Sequence, residues 1–358
     1  MSDPLLQVRG LSKSFHSGGG FLSRRRSAHV VHEVGFTLAR GEVFGLVGES
    51  GSGKTTIGRM LLRLIEPDAG DIRFDGVDVR ALAADELRRL RRRIQIIFQD
   101  PFASLDPRVR IGEAIAAPIR LHGLRPAAQV RDRVMELLDL VGLPPGHAGR
   151  FPHEFSGGQR QRVAIARALA VEPELIVCDE PVSALDLSVQ AQVINLLSDL
   201  RTRLGVSYVF ISHDMAVVRH LASHVGVLYA GRMVETGPAA AIFADPRHPY
   251  TRMLLAASPS PVPGARRQRA EIRGEPPSPF SAVPGCRFAS RCPFVLDACR
   301  AAEPPLDAFR DDGHQAACIR AGELAPVRPL SDDESLMSPA YRLRMDLLRQ
   351  ARGTAAPR

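Results

Sequence analysis

No apolar stretch in this 358-residue chain reaches the ~18 residues that a membrane-spanning helix requires. The start, Met1-Ser2-Asp3-Pro4, lacks the basic-then-apolar pattern of a secretory leader. Both absences lead to the expectation of a cytosolic chain that reaches a membrane only through partners. Cysteine is scarce: of five, one is Cys178 and four fall between 286 and 318. Dense charge is rare as well. The formal charge of +8 would suit an anionic partner. Yet the only dense runs are Arg24-Arg25-Arg26 and the cluster Arg88-Arg89-Arg91-Arg92-Arg93, which a solvated loop and a solvated helix face explain. No nucleic-acid partner is expected.

What is present is more telling. Gly48-Glu49-Ser50-Gly51-Ser52-Gly53-Lys54-Thr55 is a complete G-x-x-x-x-G-K-[ST] loop. Its glycines let successive backbone N–H groups turn toward a polyphosphate, Lys54 reaches the terminal phosphates, and the Thr55 hydroxyl can ligate Mg²⁺. The apolar run Val43 to Val47 reads as a buried strand ending at the loop. Thr56 to Leu64 carries helical spacing, so the loop opens a helix whose N-terminus favours anions.

Residues 5–15 and 30–38 read as strands of an antiparallel sheet, joined by a Gly-rich basic loop from Ser17 to Ser27. Residues 70–76 read as strand and turn, 85–92 as a charged helix, and 94–98 as a buried strand ending at Gln99. From about 111 to 142 the pattern is helical, with Ile111, Ile115 and Ile119 on one face, until Pro144-Pro145-Gly146 breaks it. Helices at 157–170, 188–203 and 214–222 then alternate with strands at 174–178, 207–211 and 224–230. That alternation implies a largely parallel sheet with ligands at the strand C-terminal ends. Prolines from 261 to 284 mark a linker, so a boundary is expected near 260. The tail from 331 holds one candidate helix, Tyr341 to Gln350.

The apolar strand ending in Asp179-Glu180 brings two carboxylates to the phosphate loop. Asp179 is suited to hold Mg²⁺ through water near Thr55, and Glu180 to polarise a water for attack on the γ-phosphate. Cys178 reads as a small buried hydrophobe. Ser156-Gly157-Gly158-Gln159 fits a helix capping box. The same capped start, with two glycines, also offers bare N–H groups to a phosphate.

Gly48 to Thr55, Gln99, Phe155-Ser156-Gly157-Gly158-Gln159, Asp179-Glu180, Ser183-Ala184-Leu185-Asp186 and His213 follow the order found in ABC transporter ATPase subunits. The chain resembles that family over about residues 5–257. The resemblance implies an α/β P-loop ATPase with an antiparallel β subdomain, a helical subdomain and a small C-terminal cysteine-containing region. Residues 1–260 would form the ATPase domain, with the helical subdomain at about 100–160. Residues 261–330 would form the C-terminal region and 331–358 a tail.

The resemblance also implies roles. ATP would be bound by Phe15, Gly48, Glu49, Ser50, Gly51, Ser52, Gly53, Lys54, Thr55, Thr56, Gln99 and Asp179. Phe15 would stack on adenine, core packing being its alternative reading. Mg²⁺ would be held by Thr55, Gln99 and Asp179, and catalysis carried by Glu180, His213 and Gln99. Ser156, Gly157, Gly158 and Gln159 of a second ATPase subunit, a paralogue or a second copy, would close over the nucleotide, and Asp186 would communicate across that dimer. Two membrane permeases would dock on the helical subdomain, and an extracytoplasmic solute-binding protein would deliver cargo at the bacterial inner membrane.

The nearer resemblance is to the dipeptide, oligopeptide and nickel importers. Asp245 to Thr251, Gly274 to Pro279 and Pro284 to Pro293 resemble that branch's C-terminal region. ATP-driven uptake of di- or oligopeptides is expected, with nickel or another small solute as an alternative. A non-transport ATPase of the same fold fits less well. Such proteins carry two ATPase units or a long coiled coil, whereas here about 100 residues without heptads separate the loop from Ser156. A metal-binding regulatory module is disfavoured by intact Glu180 and His213.

Cys286, Cys292, Cys299 and Cys318 are separated by five, six and eighteen residues. Four thiolates suit a metal or cluster better than a cytosolic disulfide pair, and the spacings exceed those of zinc knuckles. Members of the resembled branch carry a 4Fe–4S cluster in such a region. Zinc, or cysteines that are unligated or disulfide-linked, remain open alternatives.

Overall fold

Leu6, Val8 and Leu11 recur at nearly alternate positions, as a strand with one buried face requires. They lie in β1 (Leu6–Ser17), which pairs antiparallel with β2 (Arg26–Leu38). A register shift between Val8 and Leu11 falls at Gly10, whose φ of +58° suits a residue without a Cβ. The computed structural model describes residues 3–17, 26–257, 274–281, 283–309 and 312–326. Most of the expected basic loop, and the helix expected at 341–350, lie outside them.

Strand β3 (Val43–Val47) leaves this sheet, and the chain returns to it with β4 (Ala69–Phe74) and β5 (Val77–Asp78), giving the order β2-β1-β4-β5. The larger sheet contains β3, β6 (Ile94–Ile97), β7 (Leu175–Asp179), β8 (Ser207–Ser212), β9 (His224–Tyr229), β10 (Arg232–Pro238), β11 (Asp307–Ala308) and β12 (Gln315–Ala316). Its order is β11-β12-β10-β9-β3-β8-β7-β6. The five strands from β9 to β6 are parallel. β10, β12 and β11 extend the sheet antiparallel.

The parallel strands are apolar on both faces because both are covered. Val43 and Val47 face one core with Ile176, Cys178 and Phe210, and Phe44 and Leu46 face another with Val177, Val209 and Ile211. Cys178 is fully buried, and burial raises its thiol pKa. Helix α1 (Lys54–Leu61) packs into the second core through Ile57, Met60 and Leu61. Helix α2 (Ala84–Arg93) precedes β6.

The stretch expected to be helical from 111 to 142 forms two helices, α3 (Ile111–Leu121) and α4 (Ala127–Leu140). Gly123 at φ +60° turns the chain, and Pro126 keeps Arg125 from helical geometry. Their apolar faces share a core with Val163 of α5 (Gly157–Leu169). Next come α6 (Leu187–Leu204), α7 (Met215–Leu221), α8 (Ala239–Ala244), α9 (Pro249–Ala257) and α10 (Asp297–Ala301). The C-terminal segment joins the larger sheet: Glu235 of β10 pairs with Ala316 of β12, and Phe288 enters the core beside Tyr229 and Tyr250.

Candidate active site

Parallel register carries four chain segments to one sheet edge. The phosphate loop leaves β3, Gln99 follows β6, Glu180 follows β7, and His213 follows β8. Gly53 at φ +105° allows the loop to enter α1, and a Cβ at Gly48 would lie 2.2 Å from the Leu228 carbonyl oxygen. The first turn of α1 leaves N–H groups without intrahelical acceptors, the usual setting for an anion. Thr56 lies half-buried in that turn.

Lys54 is only 4% exposed. Its Nζ donates to Gly48 O at 2.7 Å and Glu49 O at 2.9 Å, and lies 3.8 Å from a Glu180 oxygen. Burial lowers its pKa, against the pull of Glu180 and Asp179. The Thr55 hydroxyl donates to Asp179 Oδ1 at 2.8 Å. Burial raises the Asp179 pKa, while the Thr55 bond and Arg59 oppose it. Adjacent hydroxyl and carboxylate oxygens are the hard donors that Mg²⁺ takes.

Glu180 Oε2 accepts from Gln99 Nε2 at 3.3 Å and lies 3.2 Å from His213 Nδ1. The structure thus groups Gln99 with Glu180 and His213, and pairs Thr55 with Asp179. Glu49, Ser50, Gln99, Glu180, Ser183 and His213 border one open cleft. A carboxylate set beside an amide, an imidazole and a buried ammonium can polarise a water entering that cleft.

Ser156 caps α5. Its Oγ accepts from Gln159 N at 3.3 Å, and its own N–H donates to Gln159 Oε1 at 3.0 Å. Ser156 remains exposed, so capping leaves it accessible to a second molecule. Gly158 lies against α6, and Gly157 against Leu185. Asp186 is the N-cap of α6, accepting from Val189 N at 3.1 Å. Phe15 is 41% exposed, so its ring is not core; the Lys13 ammonium lies 5.7 Å from its centroid.

All four C-terminal cysteines are free and line one hollow, walled by Phe288, Phe294 and Ile319 among others. Burial raises the pKa values of Cys286, Cys292 and Cys318; backbone hydrogen bonds at Phe288, Phe294 and Arg320 oppose it, and neighbouring cysteines add to it more weakly. Among the described residues, no group of three or more His, Cys, Asp or Glu is arranged to hold a metal ion.

Two contacts to the phosphate loop escaped the sequence reading. Glu49 N–H donates to Tyr250 Oη at 2.8 Å, and the Glu49 carboxylate pairs with both terminal nitrogens of Arg291 at 2.8 and 2.9 Å. Arg291 stands 242 positions along the chain from Glu49, and no motif spacing links them.

A phosphate loop, two carboxylates at the tip of a neighbouring strand and a capped Gly-Gly helix, carried on this sheet, define an ATP-binding cassette ATPase. Residues 31–183 match the family model described as ABC transporter. Residues 234–299 match the one described as oligopeptide/dipeptide transporter, C-terminal region. The chain belongs to the ABC transporter ATP-binding family and carries the C-terminal region of its oligopeptide/dipeptide branch.

A Brucella ovis relative, named for peptide import and ATP binding, is 54% identical over 317 residues, covering 88% of this chain and 98% of its own. A Sinorhizobium fredii relative, named for a peptide ABC transporter, is 47% identical over 323 residues, covering 90% and 91%. Among solved structures, the dimeric ATP-binding cassette MJ0796 bound to ADP and Pi is 29% identical with a TM-score of 0.59, covering 65% of this chain and 98% of that one. CbiO1 of Clostridium perfringens, part of an ABC transporter complex, is 26% identical with a TM-score of 0.59, covering 68% and 91%. No helix among the described residues is long and apolar enough to cross a membrane.

Proposed function

We propose that this chain is the ATP-hydrolysing subunit of an importer that takes up di- and oligopeptides across the cytoplasmic membrane. The observation that carries the hydrolytic part is the position of Glu180, within 4 Å of Lys54, Gln99 and His213 at the mouth of the cleft. The C-terminal region supports the peptide assignment. Two ATPase subunits, identical or paralogous, pack head to tail. Ser156 to Gln159 of one then closes over the triphosphate held by Lys54's loop in the other, and Asp186 lies where the two meet.

Lys54 neutralises terminal phosphate charge. Mg²⁺, bound by Thr55 and Asp179 with Gln99 nearby, would spread that charge further. Glu180 takes a proton from the attacking water while His213 and Gln99 hold its carboxylate in place. Phe15 offers its exposed ring to adenine. The subunit works at the cytoplasmic face of the membrane, beside two permeases that meet the α3–α4 region and a solute-binding protein that delivers the peptide.

Cys286, Cys292, Cys299 and Cys318 would hold a 4Fe–4S cluster in the region after the ATPase core. Four soft sulfurs lining one apolar hollow suit that group by donor type. There it would supply a structural cross-link among loops that form little regular structure.

The test is peptide uptake into proteoliposomes that hold the full chain with its permeases. ATP should drive accumulation through the wild type. Glu180→Gln should keep ATP binding, trap a closed dimer and lower hydrolysis by roughly 100-fold or more. Hydrolysis by Glu180→Gln at the wild-type rate would remove Glu180 from its role; absence of peptide uptake by an ATP-hydrolysing wild type would remove the cargo.

A further inference from the structure

A carboxylate is an unexpected neighbour for a triphosphate, because it adds negative charge where more must arrive. Glu49 is that neighbour, second in the phosphate loop. The structure answers its charge from the far end of the chain. Arg291 grips both Glu49 oxygens in a bidentate fork, the strong and directional form of this pair. The guanidinium side chain is 3% exposed. It lies 5.6 Å from the Tyr229 ring centroid and 5.9 Å from that of Phe288, and donates to Tyr229 Oη at 3.2 Å. It has few other places to go.

The backbone of Glu49 is tied as firmly as its side chain. Its N–H donates to Tyr250 Oη, and its carbonyl accepts from Lys54 Nζ at 2.9 Å and Ser52 N at 3.2 Å. The same residue thus anchors the ammonium that must meet the phosphates. A shift of Glu49 carries Lys54 with it.

We propose that Arg291 is a positioning residue for ATP hydrolysis: it cancels the Glu49 charge and fixes the first turn of the phosphate loop, so that the cysteine-bearing region sets the geometry of the nucleotide site. This rests on the ATPase activity of the family and not on the cargo or on any cluster.

Binding of a non-hydrolysable ATP analogue with Mg²⁺ to the full chain tests it, alongside kcat and KM for ATP. Arg291→Met should weaken binding about tenfold at low salt, and less at high salt as the exposed carboxylate is screened. Arg291→Lys, which keeps the charge but loses the fork, should weaken it about threefold. Adding Glu49→Gln to Arg291→Met should recover most of the loss. A purely structural contact would lower the melting temperature and leave these constants alone. Affinities of Arg291→Met and Arg291→Lys within twofold of wild type at both salts overturn the proposal. So does an unfolded Arg291→Met combined with wild-type affinity in Arg291→Lys, and so does failure of Glu49→Gln to restore binding.

Discussion

Glu180 holds a left-handed backbone, φ +46°, that side-chain-bearing residues avoid. Its N–H donates to Ile211 O at 3.1 Å, tying that turn to the neighbouring strand. Such a turn is tolerated where surrounding contacts over-determine it, and here it aims a carboxylate at Lys54, Gln99 and His213. The cysteines present a second residue-scale question, because burial raises the pKa of the Cys286, Cys292 and Cys318 thiols. A cluster would bind thiolates, and so would release protons against that shift. Protein purified without air should be brown, with absorption near roughly 400 nm, and Cys292→Ser should lose colour and iron together. Colourless, iron-free wild type ends that assignment. The residue types around Glu180 were legible in sequence, since each motif is a local spacing. The contacts of Glu49 with Arg291 and Tyr250 were not, because charge pairing leaves no periodic trace.

At the scale of elements, the start of α5 serves two demands at once. Ser156 and Gln159 close a capping box, and Gly158 lets α5 approach α6, where an added Cβ would lie 2.3 Å from Val189 Cγ1. Gly158→Ala should force the helices apart and lower stability by about 1–3 kcal/mol, read from the urea midpoint. ATP-dependent dimerisation should fall with it, because Ser156 lies two residues away. A variant with wild-type midpoint and dimerisation would show that the close approach does not matter. Sequence periodicity resolved this helix well. It ran α3 and α4 together, because both present isoleucine, leucine or valine to one core and the break between them rests on Gly123 and Pro126 alone. It also stopped short of β10, β11 and β12. β10 has a run of three buried residues, Met233 to Glu235, in place of alternation; β11 and β12 have two residues each, too few to show any, and exist because the edge of β10 offers partners.

Contacts between distant parts of the chain tie the smaller sheet to the larger one and to the C-terminal segment. His32 of β2 donates its N–H to Gly231 O at the β9–β10 turn, and its ring is influenced by Arg287 from the C-terminal segment. Burial, then Arg287, His29 and Arg232, lower its pKa from 6.5 to about 4. Between those values the unfolded chain binds the extra proton and the folded chain resists it, so this contribution to stability is complete above pH 6.5 and is lost as pH falls toward 4. Thermal melts should show His32→Gln losing less stability than wild type between pH 7 and 5. Equal losses would mean that the histidine does not titrate in this way.

By itself the sequence determined the phosphate loop, the strand-tip carboxylates, the capped glycine helix and the alternation that makes a parallel sheet, since each is written in neighbours along the chain. Only the tertiary structure decided that Arg291 meets Glu49, that Gln99 and His213 converge on Glu180, and that four cysteines share one hollow. Those pairings depend on strand order and on where the chain returns after long excursions, which burial of two cores selects and no local spacing records.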